Sequence, residues 1–159
     1  MTNARHLIGL VSDTHGMVRA SIFEALAGVE RILHAGDVGV DDVLTELATI
    51  APVNAVFGNT DAPGNPQHAA ALVLTIGGVT IHVSHGHELG SPTPATLLAA
   101  YPQQVLVYGH THRQLIMEVD GRLVVNPGAA GARRFHLRPT VARLTIERGV
   151  AHVELVPLD

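Results

Sequence analysis

Five short clusters of metal-competent side chains recur along this 159-residue chain, each beside glycine: Asp13-Thr14-His15-Gly16, Gly36-Asp37, Gly58-Asn59-Thr60-Asp61, His85-Gly86-His87 and Gly109-His110-Thr111-His112. The chain holds 11 His against 3 Phe, 2 Tyr and no Trp, so histidine is abundant where aromatic packing is scarce. Asp13, His15, Asp37, Asn59, His85, His110 and His112 offer oxygen and nitrogen donors, and with no Cys there is no sulfur. Such a set suits Mn, Fe, Co, Ni or Zn. Asp13 and His15 stand two residues apart, as do His110 and His112, and on an extended backbone such pairs point the same way. Seven ligands are too many for one ion that must keep open positions. They suit two ions about 3.5–4 Å apart that share a carboxylate, acidify a bridging water and clamp the oxygens of a displacement at phosphorus.

Chemistry of this kind needs elements that bring the clusters together. Leu7–Val11, Arg31–His34 and Pro52–Phe57 read as short apolar strands, separated by helical patterns over Arg19–Leu26 and Asp41–Ile50. In the first helix Ile22, Phe23 and Leu26 are expected on one face; in the second, Asp41 and Asp42 read as a helix start. This alternation predicts parallel strands with right-handed crossovers. The second half changes character. Ala71–Ile76 and Val79–Ser84 flank Gly77-Gly78, Gln114–Val119 and Arg122–Val125 flank Asp120-Gly121, and Val141–Glu147 and Val150–Val156 flank Arg148-Gly149. Each reads as a hairpin, with a brief helix over Thr96–Tyr101 and a strand over Gln104–Tyr108 between them. The predicted fold is α/β: a two-sheet β-sandwich of mixed strands, flanked by helices. Every chemical cluster then follows a strand, and in open α/β sheets ligands bind beyond the carboxyl ends of the strands.

Composition narrows the function. The length fits one ordinary domain over residues 1–159. Hydrophobic residues at 47% with charged residues at only 15% rule out intrinsic disorder. No apolar run approaches the 20 or so residues of a membrane span, and the polar start before a five-residue apolar run is no signal peptide. A cytoplasmic protein is expected. The formal charge is −4, and all 10 basic residues are Arg. An acidic chain with few stacking aromatics is a poor binder of nucleic-acid polymers.

The order Asp-x-His, Gly-Asp, Gly-Asn-x-Asp, His-Gly-His and Gly-His-x-His resembles the calcineurin-like metallophosphoesterase family from Asp13 to Gly131. It is most similar to the small single-domain bacterial and archaeal phosphodiesterases, which share an Asn-Pro-Gly segment, here Asn126-Pro127-Gly128. The resemblance implies that Asp13, His15, Asp37 and His112 hold one metal. Asp37, Asn59, His85 and His110 would hold the other, with Asp37 bridging and Mn first among Mn, Fe, Ni and Zn. It implies a metallophosphoesterase-like sandwich and a divalent-metal-dependent phosphodiesterase in which a metal-bridging hydroxide attacks small phosphodiesters. Asp37 and Asn59 would thus be catalytic.

One departure bears on leaving groups. Many relatives carry His after the Asn of the third motif, and the small branch usually has Cys; this chain has Thr60. A Thr hydroxyl can hydrogen-bond phosphate but is a poor general acid. His87, two residues past His85, is a candidate to take over that role, with Asp61 as an orienting group. Arg133 and Arg134 are candidates to reach the substrate phosphate. Ala129 stands where relatives often have Ser.

Plainer readings stand beside these. His6, His68, His82, His136 and His152 read as surface or satisfied core residues, with His82 facing away from Ile81 and Val83. His34 is either a core residue or a support for Asp37. Competing functions are an interaction scaffold on the same fold, as in the retromer's vacuolar sorting subunit, and a phosphomonoesterase or nuclease. The absent His disfavours the monoesterase. Exposed hairpin edges would allow pairing into a homo-oligomer.

Overall fold

The computed structural model describes residues 4–62, 64–133 and 136–159. Two sheets pack face to face. One runs, in spatial order, through β11 (Val150–Pro157), β10 (Thr140–Glu147), β1 (Arg5–Val11), β2 (Arg31–His34), β3 (Val53–Val56) and β4 (His68–Ala69). The other runs through β5 (Leu72–Ile76), β6 (Val79–Val83), β7 (Val105–Val107), β9 (Arg122–Asn126) and β8 (Leu115–Val119). Three short helices are α1 (Ile22–Ala25), α2 (Asp41–Leu47) and α3 (Pro94–Ala100).

Strand alternation assigns the layers. Ile8 and Leu10 of β1, Leu33 of β2, and Ala142, Leu144 and Ile146 of β10 point between the sheets. There they meet Val79, Ile81 and Val83 of β6, Val105 and Val107 of β7, and Val125 of β9. The opposite face of the first sheet, with Val11, Ile32 and Val141, is covered by Ile22 and Leu26 near α1 and by Val43, Leu44 and Leu47 of α2. The outer face of the second sheet, with Leu106 and Val124, is covered by Leu97 of α3. The result is helix, sheet, sheet, helix, the predicted fold class.

Parallel pairing aligns the strand ends. Val11 lies opposite His34, and His34 opposite Ala55; in the second sheet Val83 lies opposite Val107. The residues following β1, β2, β3, β6 and β7 therefore emerge together. All three predicted hairpins form. Their turn pairs, Gly77-Gly78, Asp120-Gly121 and Arg148-Gly149, each have both residues at positive φ, the backbone that two-residue hairpins require.

Three local expectations change. The first helix is a single turn: the Ser21 hydroxyl accepts from Asp159 N–H instead of capping, and Gly28 at φ 84° turns the chain away. Phe23 is exposed while Ile22 and Leu26 are buried, because i and i+4 share a helix face and i+1 does not. The third helix starts at Pro94 rather than Thr96, since Thr93 and Thr96 form a capping box with Pro94 in the first turn. The two-residue strand β4 and a 3₁₀ turn over His87–Leu89 are too short to leave a periodic signal.

Leu144 is fully buried between the sheets. A Leu144→Ala variant is expected to lose about 2–5 kcal/mol in urea unfolding, the range for a large-to-small change in a packed core; a loss below about 1 kcal/mol would contradict this packing.

Candidate metal centre

The candidate ligands sit on backbone that L-residues avoid. Among the described residues, seven non-glycine residues have positive φ, and five of them are Asp13, His15, Asp37, His110 and His112; the other two, Asp120 and Arg148, are hairpin turns. Asp and His tolerate this conformation better than most residues, yet each instance costs on the order of 1 kcal/mol. At these five positions the chain turns sharply past a strand and throws its donor into one shared space, which Asn59 and His85 enter from ordinary backbone. Two glycines let the loops close on it. A Cβ at Gly58 would collide with Asp37 Oδ1, and one at Gly109 with Ser12 Oγ and Asp13 Oδ2.

In each carboxylate one oxygen is pinned and the other is left facing imidazoles. Asp13 Oδ2 accepts from Ser12 Oγ at 2.6 Å and from His110 N–H at 3.3 Å. Asp13 Oδ1 is buried with no hydrogen-bond partner and lies 3.4 Å from His112 Nε2, 3.9 Å from His85 Nε2 and 4.0 Å from His15 Nε2. Asp37 Oδ1 accepts from Thr60 N–H at 2.9 Å. Asp37 Oδ2 lies 3.3 Å from His85 Nε2 and 3.7 Å from His15 Nε2. Asp13, His15, Asp37 and His112 each offer one donor atom within 4.8 Å of all the others.

The donors are aimed at one another in a way that calls for a cation. His85 Nδ1 donates to the Ala35 carbonyl at 2.8 Å, so in neutral imidazole Nε2 carries the lone pair. That lone pair faces Asp37 Oδ2 and, at 3.0 Å, Asn59 Oδ1, with the amide oriented oxygen-inward. His110 Nδ1 meets the same Asn59 oxygen at 3.1 Å. His15 Nε2 and His112 Nε2 stand 3.4 Å apart. At His85, where the Ala35 carbonyl fixes the tautomer, a lone pair so opposed to Asp37 Oδ2 and Asn59 Oδ1 repels them unless a proton or a metal ion lies between. Protonation is one relief: burial works against a charged His85, but Asp37 and Asp13 outweigh it and raise its pKa above the ordinary value. Burial likewise opposes ionisation of Asp37, but bonds from His85 and Thr60 hold its carboxyl well below the usual range. Burial and neighbouring His85 lower the pKa of His110.

The structure thus brings together all seven residues expected as ligands. His87 sits at the rim, its ring centroid 5.3 Å from His85 and 6.4 Å from both His110 and Phe57; its Nδ1 has no hydrogen-bond partner. Thr60 is exposed at the edge and reaches Asp37 through its backbone N–H. Arg133 lines a hollow with Arg19, Arg138, Pro139, Leu158 and Asp159, none of them a member of the Asp/His cluster. Arg134 lies outside the described residues. His68 is enclosed, its side chain only 6% exposed, yet neither ring nitrogen is hydrogen-bonded; its Nε2 lies 3.8 Å from Asp41 Oδ1. His82 stacks on Tyr101 at 3.8 Å, away from the inner core.

Supporting groups hold the loops. Asp61 is buried and accepts from Val38, Gly39 and Gly58 N–H at 2.9, 3.0 and 3.0 Å, which ties the Asp37 loop to the Asn59 loop. His34 is a buried brace. Its Nε2–H donates to Thr14 Oγ1 at 3.0 Å, its Nδ1 accepts from Gly36 N–H at 3.1 Å, and Thr14 donates onward to the Val38 carbonyl. The sequence reading passed over Ser12 and gave no role to Thr14 or to Asn126, which it noted only within the Asn-Pro-Gly segment. Asn126 donates to the Gly109 carbonyl at 3.2 Å and to Thr111 Oγ1 at 3.1 Å, bracing the His110–His112 loop. Their available signal was weak: polar residues at strand ends where alternation demands burial.

The sequence matches the calcineurin-like phosphoesterase superfamily domain over residues 7–149. The chain belongs to that superfamily. Within it, a probable metallophosphoesterase of Methanothermobacter thermautotrophicus is 38% identical over 87% of this chain and 80% of its own length. Phosphodiesterase MJ0936 of Methanocaldococcus jannaschii is 30% identical over 76% of this chain and 82% of its own. In fold the chain is similar to a single-mutant Vps29 of Entamoeba histolytica, with a TM-score of 0.80, 22% identity, and 96% and 99% of the two chains covered. This phosphoesterase domain carries an Asp/His cluster fit to bind metal, and among its described residues no helix is long and apolar enough to cross a membrane.

Two predictions follow from the braces. Asp61→Ala leaves three backbone N–H groups without their acceptor and is expected to cost about 2–4 kcal/mol in denaturant unfolding; a change within experimental error would contradict its tie between the loops. Burial lowers the pKa of His34 from 6.5 to about 4. Between these values the unfolded chain binds a proton that the folded chain does not, so stability falls as pH drops from about 6.5 to about 4 and is unaffected above that window. The loss is on the order of 3 kcal/mol. His34→Gln should be less stable at pH 7 but show a shallower decline, read by thermal melts across the window; parallel curves would refute the assignment.

Proposed function

We propose that the protein is a divalent-metal-dependent phosphodiesterase acting on small phosphodiesters through a two-metal site. The observation that carries this reading is the buried Asp13 Oδ1, unpartnered and faced by His15, His85 and His112. Asp13, His15, Asp37 and His112 would hold one ion and Asp37, Asn59, His85 and His110 the other, with Mn the first choice and Fe, Ni or Zn chemically acceptable. Divalent ions in such a site supply positive charge to the phosphoryl oxygens and lower the pKa of the attacking water.

The chain's own residues do the rest. Asp37, fixed through its Oδ1 by Thr60 N–H, turns an ionised Oδ2 toward His85 and His15. Asn59 turns its amide oxygen to the same side. The exposed Thr60 hydroxyl would donate a hydrogen bond to a phosphoryl oxygen. His87 stands at the rim with Nδ1 buried toward Glu88, so its Nε2 is the nitrogen that would pass a proton to a departing alkoxide. A Thr hydroxyl cannot serve as that acid near neutral pH, so aryl leaving groups should react best.

The relatives named as metallophosphoesterase and phosphodiesterase support this reading. The likeness to Vps29, a vacuolar protein sorting fold, favours a second one, an interaction scaffold. The inward aim of every donor argues for the enzyme, because a surface used only for docking needs no such convergence.

The test is elemental analysis of the purified protein, paired with hydrolysis of a chromogenic aryl phosphodiester with and without Mn. About two metals per chain are expected, with turnover that falls at least 100-fold in His112→Ala. A folded chain that takes up no metal and turns over nothing with Mn would favour the scaffold.

A further inference from the structure

Beside the cluster, on the wall formed by His112, lies a hollow of about 340 Å³ lined also by Arg113, Gln114, His136, Leu137 and Arg138. That size is within the range of small-ligand pockets. Its lining is the opposite of the molecule's average. The chain carries 14 acidic residues against 10 Arg, yet among the described residues no carboxylate lines this space. Arg138 is already engaged, 3.7 Å from the Asp159 carboxylate and bonded to the Leu158 carbonyl at 3.5 Å. Arg113 is not. Only its backbone N–H is used, donating to Thr111 Oγ1, and among the described residues no carboxylate lies within ion-pair distance of its guanidinium. His136, expected as an ordinary surface histidine, is exposed on the same wall. A free guanidinium fork, an imidazole and the Gln114 amide suit a phosphate, which Arg binds through two parallel N–H donors.

We infer that this hollow is an anion subsite, and that the substrate is a phosphodiester bearing a second phosphate, held there by Arg113 while the diester lies at the Asp/His cluster. The inference rests on the phosphodiesterase reading above. Because His112 forms a wall of both spaces, one ligand can reach from one to the other. The pendant phosphate adds binding that an uncharged ester lacks, which appears as a difference in kcat/KM between two substrates with the same leaving group.

The experiment compares thymidine 5′-(p-nitrophenyl phosphate) with its 3′-phosphorylated counterpart on Mn-incubated protein. The wild type should prefer the phosphorylated substrate about tenfold in kcat/KM, the scale of a lost charge-assisted contact. The preference should shrink with added salt, drop to about one in Arg113→Ala, and persist in part in Arg113→Lys. Calorimetry reads the subsite without turnover: thymidine 3′,5′-bisphosphate should bind about tenfold tighter than thymidine 5′-monophosphate, and Arg113→Ala should abolish that margin. A wild-type ratio near one, or a ratio unchanged in Arg113→Ala, overturns the subsite even when both esters are cleaved. Bisphosphate preference without cleavage of either ester supports the subsite and overturns the diesterase reading instead.

Discussion

Two buried carboxylates, Asp13 and Asp37, each turn one oxygen toward the imidazoles of His15 and His85, and that of Asp13 also faces His112. Burying like charges side by side is unfavourable, and the cost persists unless positive charge is close. Nothing in the hydrophobic layers gains from this arrangement. The surrounding loops must therefore hold it in place against repulsion, and much of the local architecture is explained by that need. The same need makes the cluster a strong metal candidate, because a cation replaces repulsion with attraction at every one of those contacts.

The frame that resists the repulsion is the parallel part of each sheet. β1, β2 and β3 end level with one another, as do β6 and β7. Apolar packing between the sheets fixes these ends independently of the site. Left-handed residues then redirect the backbone within two or three residues of the ends of β1, β2, β6 and β7. Such turns cost free energy, and they persist because hydrogen bonds over-determine them. Asp61 gathers three N–H groups from two loops, His34 and Thr14 tie the β2 exit to the β1 exit, and Asn126 secures the β7 exit. Each brace is a polar group buried with its partners satisfied, which is what makes it rigid.

Charge is distributed unevenly over this frame. Acidic groups dominate overall, while the hollow beside His112 presents Arg113 and His136 with no carboxylate among the described residues of its walls. Several arginines elsewhere are engaged in structure. Arg19 donates to the Gly131 and Asp159 carbonyls, Arg122 to Gln103 and Leu98, and Arg143 to Ala25 and Ala27. Four of the ten arginines, these three and Arg138, thus fasten backbone carbonyls, whereas Arg113 stands beside the cluster with its guanidinium turned to the hollow.

The sequence by itself determined the periodicities and the punctuation. The apolar runs Leu7–Val11 and Arg31–His34 marked strands, and Asp120-Gly121 or Arg148-Gly149 set where hairpins turn, because these are local steric rules. It also placed Asp13, Asp37, Asn59, His85 and His110 just past strands, since donor types beside glycine are visible without coordinates. Tertiary structure decided what local rules cannot reach. Whether Asp13 and His112, 99 residues apart, come within 3.4 Å depends on the two sheets packing with their strand ends level. Which carboxylate oxygen is pinned and which is free depends on donors from distant loops. Ser12, Thr14 and Asn126 became legible as braces only when their partners appeared, and Arg113 as a ligand candidate only when the wall it shares with His112 was formed. Long-range contacts of this kind arise from packing, and no short window of sequence encodes them.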